Sequence, residues 1–206
     1  MKIRLTYFNF PFWRAETSRL ALHIGGIEFE DVRLGGDDFR AKKAAGDFPY
    51  GQLPILEVDG RVFAQSVGIA KFCGKLSGLY PKDDDLAALQ VDEFLDAAAQ
   101  ITSFVNPSMR EKDPDKRAAL REELGKETFP HWLSLLEKRM GPGDYLVGES
   151  LTVADLAIWR LMGWLTGGVL DGIPKDLLKS HTRLEAHFKR IDGREDIRAW
   201  MQKHYG

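Results

Sequence analysis

Residues 50–66 read Tyr-Gly-Gln-Leu-Pro-Ile-Leu-Glu-Val-Asp-Gly-Arg-Val-Phe-Ala-Gln-Ser, and this stretch decides the fold. Asp59-Gly60 supplies the positive φ angles of a two-residue hairpin turn. Ile55–Val58 and Arg61–Ala64 are therefore expected to be paired antiparallel strands. Pro54 has no N–H to donate, so it belongs at a strand start or an edge. It could also follow a cis bond, which would turn the Leu53 backbone outward toward an extended peptide. Beyond the hairpin, Ile69, Phe72, Cys73 and Leu76 lie on one face of a helix, with Ser66 expected as its N-cap. Gln65-Ser66 is then either a plain cap or an anion site. Free N–H groups and partial positive charge at a helix start favour a carboxylate there.

Upstream, residues 2–7 alternate as a strand, with Ile3 and Leu5 on one face. Residues 9–14 form a loop around Pro11. A helix over 15–24 is stopped by Gly25-Gly26. Residues 29–34 are a second strand, and 37–45 a short helix or irregular coil. The order is βαβ, then helix or coil, then ββα, a compact thioredoxin-like α/β unit. Downstream, residues 79–85 are a turn-rich linker. Helical patterns follow over 86–105, 114–140, 152–166, 175–191 and 194–203. The expected organisation is a thioredoxin-like α/β domain over 1–78, the linker 79–85, and an all-helical domain over 86–206. Thr152 and Asp155 form a capping-box variant at the start of one helix, flanked by Leu151 and Leu156 as a staple.

The bulk properties narrow the function. The chain has 206 residues, 44% hydrophobic and 29% charged, with a formal net charge of -2. No strong field selects nucleic acid or an anionic membrane. No apolar run approaches the ~20 residues that span a bilayer. The first residues lack a signal-peptide pattern, so cytosol is the expected compartment. One cysteine, Cys73, excludes an internal disulfide, and its mid-helix place on an apolar face reads as packing. The five histidines form no metal-ligand spacing, so no metal is expected. Ala64-Gln-Ser-Val-Gly68 resembles a nucleophile elbow, but an esterase needs further parallel strands where this chain turns helical. Tyr7 ends the first strand beside a loop. It is either a packed ring or a hydroxyl that donates to a thiolate. Arg14 starts the next helix, where a cation opposes the dipole, and this hints at another use.

Together these motifs resemble the cytosolic glutathione transferases, over nearly the whole chain and in family order. Arg4-Leu-Thr-Tyr7-Phe resembles the start of their sigma, pi, mu and alpha classes, where that tyrosine is catalytic. Arg14-Ala-Glu16 resembles the opening of their first helix. Tyr50-Gly-Gln-Leu-Pro54 and the run to Gly60 resemble their glutathione-backbone segment, and Gln65-Ser66 the γ-glutamyl pair. Thr152-Val-Ala-Asp155 resembles the cap of a core helix. The sigma class, which includes prostaglandin D synthases, is the nearest, with pi-like features in residues 50–54.

The resemblance implies glutathione as co-substrate, with Tyr7 donating to its sulfur. Arg14, Phe39 and Lys43 would lie near the glycyl carboxylate or the floor of the site. Gln52, Leu53 and Pro54 would fix the peptide backbone, and Gln65 and Ser66 the γ-glutamyl group. Phe39 stands where the family usually has tryptophan, so one indole donor is lost. Gln100 stands where the family often reaches an aspartate across the dimer, with Asp96 as a nearby substitute. The loop at 10–13 is one residue longer than usual. Phe8, Phe12, Trp13 and Phe104 are candidates for an apolar electrophile subsite, with packing in the core as the alternative for each. Tyr50 could insert between helices of a second subunit, and a homodimer is the expected assembly. The implied reaction is conjugation of hydrophobic electrophiles. The alternatives are a non-catalytic binding or structural protein of the same fold and a prostaglandin-type isomerase.

Overall fold

The computed structural model describes residues 1–206. Its first half runs β1 (Ile3–Phe8), α1 (Trp13–Ile24), β2 (Glu30–Leu34), α2 (Gly36–Ala45), β3 (Ile55–Val58), β4 (Arg61–Ala64) and α3 (Ser66–Ser77). The sheet order is β2-β1-β3-β4. β1 and β2 are parallel, which requires the α1 crossover, while β3 is antiparallel to both its neighbours. Val58 pairs with Arg61 across Asp59 at φ 48° and Gly60 at φ 81°, the tight turn expected of Asp-Gly. This is a thioredoxin-like α/β unit.

α3 stops at Gly78, which takes the left-handed conformation. Asp84 then caps α4 (Asp85–Arg110) by accepting from the Leu86 and Ala87 N–H groups. Everything after it is helical: α5 (Pro114–Glu123), α6 (Phe129–Arg139), α7 (Val153–Thr166), α8 (Thr182–Asp192) and α9 (Glu195–Tyr205). No helix is long and apolar enough to cross a membrane.

Several expectations change. α2 is a regular helix although none of its residues is buried. Asp37 and Asp38 in its first turn, with Lys42 and Lys43 in its last, suit the dipole. The single helix expected over 114–140 is α5 and α6 joined by a π-turn, Leu124–Thr128. Pro130 carries no N–H, so the ladder widens just ahead of it. Residues 175–180 are turns, and α8 begins only at Thr182. α4 continues through Pro107 to Arg110, five residues beyond the expected end.

The core is one cluster of 47 buried hydrophobic residues running through both halves. α1 packs on α3 and α7, and α4 on α7. At the start of α7, Asp155 is fully buried and saturated. Its Oδ2 accepts from the Thr152 N–H at 2.7 Å and the Thr152 hydroxyl at 2.8 Å. Its Oδ1 accepts from the Leu146 N–H at 2.8 Å and lies 2.9 Å from His187 Nε2. The capping box is present, and its aspartate also joins two other segments.

Candidate active site

The last β1–β3 pair is Thr6 with Ile55, so Tyr7 lies one residue past that ladder, beside Pro54. On its other side Tyr7 pairs with Arg33 of β2. The Tyr7 side chain is 4% exposed, yet its hydroxyl has no partner in the chain and is not sealed from solvent. Burial pushes the phenol up to about 12, against a smaller downward pull from Arg14 and Arg19. At neutral pH it is therefore a protonated donor without an acceptor.

At Pro54, next to this strand end, is a small cleft lined by Arg14, Tyr50, Gln52, Leu53, Pro54, Ala64, Gln65 and Ser66; Tyr7 borders it without lining it. The Leu53–Pro54 bond is cis. Neither the N–H nor the C=O of Leu53 bonds to the main chain. Ser66 is not the N-cap expected from sequence. Gln65 holds that place, and no side chain caps α3. The Ser66 hydroxyl is therefore free, at a helix start whose first N–H groups lack side-chain acceptors. Gln65 sits at φ 77°, a conformation that costs a side-chain-bearing residue about 1–3 kcal/mol and concentrates at binding sites. Arg14 lies over the Trp13 ring with no carboxylate partner, and Lys43 lies over Phe39. A Cβ on Gly51 would stand 3.5 Å from Lys43 Cε, so α2 approaches the cleft there. Two cations, an uncapped helix start and a free extended segment fit a peptide carrying two carboxylates. Roomier grooves lie along β4 and α3, where the lining is mostly apolar, and between α4 and α6, where Glu93 and Arg139 already pair with each other.

The aromatic residues divide. Phe8 meets Tyr7 at 5.3 Å and Phe39 at 5.0 Å, and Phe39 stacks on Phe48 at 5.6 Å. Phe10, which sequence reasoning passed over, stacks on Phe8 at 5.9 Å and tilts against Tyr7 at 5.6 Å. It is 45% exposed, the signal being an apolar residue at the tip of a loop. Phe12 is buried against Trp164 at 4.9 Å. Trp13 is sealed at 1% exposure, and its indole donates to Thr102 Oγ1 at 2.8 Å. It joins α1 to α4 and does not line an open subsite. Phe104 packs on Trp132 of α6 at 5.2 Å, away from the loop rings. The Gln100 amide donates to Ser103 on its own helix, and its side chain lines the α4–α6 groove beside Asp96 rather than the cleft.

Comparison with known proteins accords with this geometry. The family models for the glutathione S-transferase N-terminal and C-terminal domains match residues 3–74 and 100–204. The chain is 34% identical to glutathione S-transferase 1 of Ascaris suum, over 96% of this chain and 94% of that protein. It is 32% identical to hematopoietic prostaglandin D synthase of Gallus gallus, over 97% and 95%. Among solved structures, prostaglandin synthase D of Nilaparvata lugens superposes with TM-score 0.87 at 28% identity, covering both chains fully. The glutathione S-transferase of Ascaris lumbricoides superposes with TM-score 0.82 at 32% identity, covering 100% of this chain and 98% of that one. The chain belongs to the glutathione S-transferase family.

Proposed function

We propose that this chain conjugates glutathione to hydrophobic electrophiles, with Tyr7 stabilising the glutathione thiolate. One observation carries the reading. A protonated, unpaired hydroxyl stands at the same strand end as a cleft suited to an anionic peptide. Leu53 pairs with the peptide main chain. Ser66 and Gln65 receive the γ-glutamyl carboxylate at the start of α3, and Arg14 and Lys43 face the other acidic end. A free thiol of pKa about 8.5 is mostly protonated at neutral pH. Lowering it by two units needs about 2.7 kcal/mol, the size of one good charge-assisted hydrogen bond. Phe8 and Phe10 form the apolar wall beside the sulfur. The reading needs no metal and places the enzyme in the cytosol.

The assembly proposed is a homodimer. Tyr50 is 65% exposed at the cleft edge, and the α4–α6 groove offers Trp132 and Leu135 as apolar contacts for the partner's aromatic ring. The test is retention on glutathione-agarose together with conjugation of a chlorodinitrobenzene-type electrophile. Retention with turnover is expected. Retention without turnover would leave a binding protein of this fold. The synthase relatives favour a second reading, glutathione-dependent isomerisation, which an assay on a prostaglandin endoperoxide would reveal.

A further inference from the structure

Next to the Tyr7 ring, through Arg19, lies a buried polar cluster that the conjugation chemistry does not use. Glu16 and Arg19 of α1 are both fully buried. The Trp200 indole donates to Glu16 Oε1 at 2.5 Å, and the Tyr205 hydroxyl to Oε2 at 2.5 Å. Arg19 donates to Glu16 Oε2 at 3.1 Å and to Asp31 Oδ1 at 2.9 Å. Its remaining nitrogen donates to the Phe8 carbonyl at 3.3 Å. Arg33 bonds the other Asp31 oxygen at 2.8 Å and the Asn9 side chain at 3.0 Å, with its guanidinium 4.8 Å from the Tyr205 ring. Separately from this network, Arg160 of α7 donates to the Pro11 carbonyl at 2.8 Å.

Two carboxylates balance two guanidinium groups at the centre of this cluster. Buried charges persist only when paired in this way, and removing one donor unsettles the rest. The cluster has two ends. One is the last two turns of α9, reached across 184 and 189 residues of sequence. The other is the Phe8 carbonyl, bonded to Arg19, and the Asn9 side chain, bonded to Arg33; both follow Tyr7 directly. Arg19 also lies 6.0 Å from the Tyr7 ring. α9 is therefore wired to the segment that aims the phenol.

We propose that α9 is a latch on this strand end: Trp200 and Tyr205, acting through Glu16 and Arg19, hold Phe8 and, by way of Asp31 and Arg33, Asn9, and so fix the direction of the Tyr7 hydroxyl. Both are positioning residues. The catalytic half of the inference rests on the conjugation reading; the mechanical half does not.

The test uses Tyr205→Phe, which keeps the ring under Arg33 and deletes the hydroxyl, and Trp200→Phe as an independent variant. Native-state amide exchange is followed at residues 8, 9, 10 and 12 without glutathione. Exchange there is expected to rise at least tenfold, with α4 and α7 unchanged. In the conjugation assay kcat should fall at least fivefold with KM for glutathione within twofold. The pH midpoint of kcat/KM for the electrophile at saturating glutathione should move to higher pH. Unchanged exchange, uniform acceleration throughout the chain, or local acceleration with wild-type kcat and pH midpoint would each overturn the proposal. Absence of conjugation by the unmodified chain would count against the conjugation reading, while local exchange would still decide the latch.

Discussion

Ser66-Val-Gly at the start of α3 and Thr152-Val-Ala at the start of α7 are similar in sequence, but only the second is followed by an acid, Asp155, and the two helix starts differ in space. At α7, Asp155 is closed in by the Thr152 N–H and hydroxyl, the Leu146 N–H and His187. At α3, Ser66 has an unengaged hydroxyl, no side chain caps the turn, and the residue before it is held at φ 77°. A saturated helix start ties segments together. An unsaturated one, bordering the cleft that Arg14 lines, can receive an anion. The contrast separates scaffold from site without reference to any relative.

Asp155→Ala should produce the largest effect. It leaves two N–H groups and His187 buried without their acceptor, so urea unfolding should show a loss of about 3–5 kcal/mol. A loss under 1 kcal/mol would remove Asp155 from the scaffold account. Alkaline titration comes next. The Tyr7 phenol titrates at about 12 in the folded chain against an ordinary 10.0. Its neutral form is favoured by folding, so its contribution is complete below pH 10 and is lost as pH rises through 12. The two-unit difference amounts to about 2.7 kcal/mol. Burial raises Cys73 to about 12 as well, so the diagnostic is the difference between unmodified and Tyr7→Phe stability curves over that window. Parallel curves would mean that Tyr7 is solvated. Ser66→Ala should have the smallest effect. Stability should stay within about 0.5 kcal/mol. Glutathione affinity by calorimetry should fall roughly tenfold, about 1.4 kcal/mol. A stability loss like that of Asp155→Ala would erase the distinction between the two helix starts.

Local chemistry made much of this legible. Asp59-Gly60 dictates its hairpin because only a few residues accept positive φ, and Thr152 with Asp155 announces a helix start. Residues whose partners are remote were not legible. Trp13 reads equally as a subsite ring or a core ring until Thr102 is seen to accept from its indole. Ser66 reads as a cap because composition favours one, but the strand-to-helix bend puts Gln65 there instead. α2 lacks an apolar stripe, so periodicity could not separate helix from coil. The division of 114–140 follows from Pro130, which helical periodicity alone does not expose. The Glu16 cluster draws on α9 from the far end of the chain, and no local pattern brings those residues together.

The proposed reaction turns on the Tyr7 proton and the glutathione sulfur. The most direct measurement is the ultraviolet titration of the thiolate of bound glutathione, comparing the unmodified protein with Tyr7→Phe. The account predicts a midpoint about two units below the free thiol value of about 8.5, returning most of the way toward it in the variant while glutathione still binds. Identical midpoints in the two proteins would contradict it.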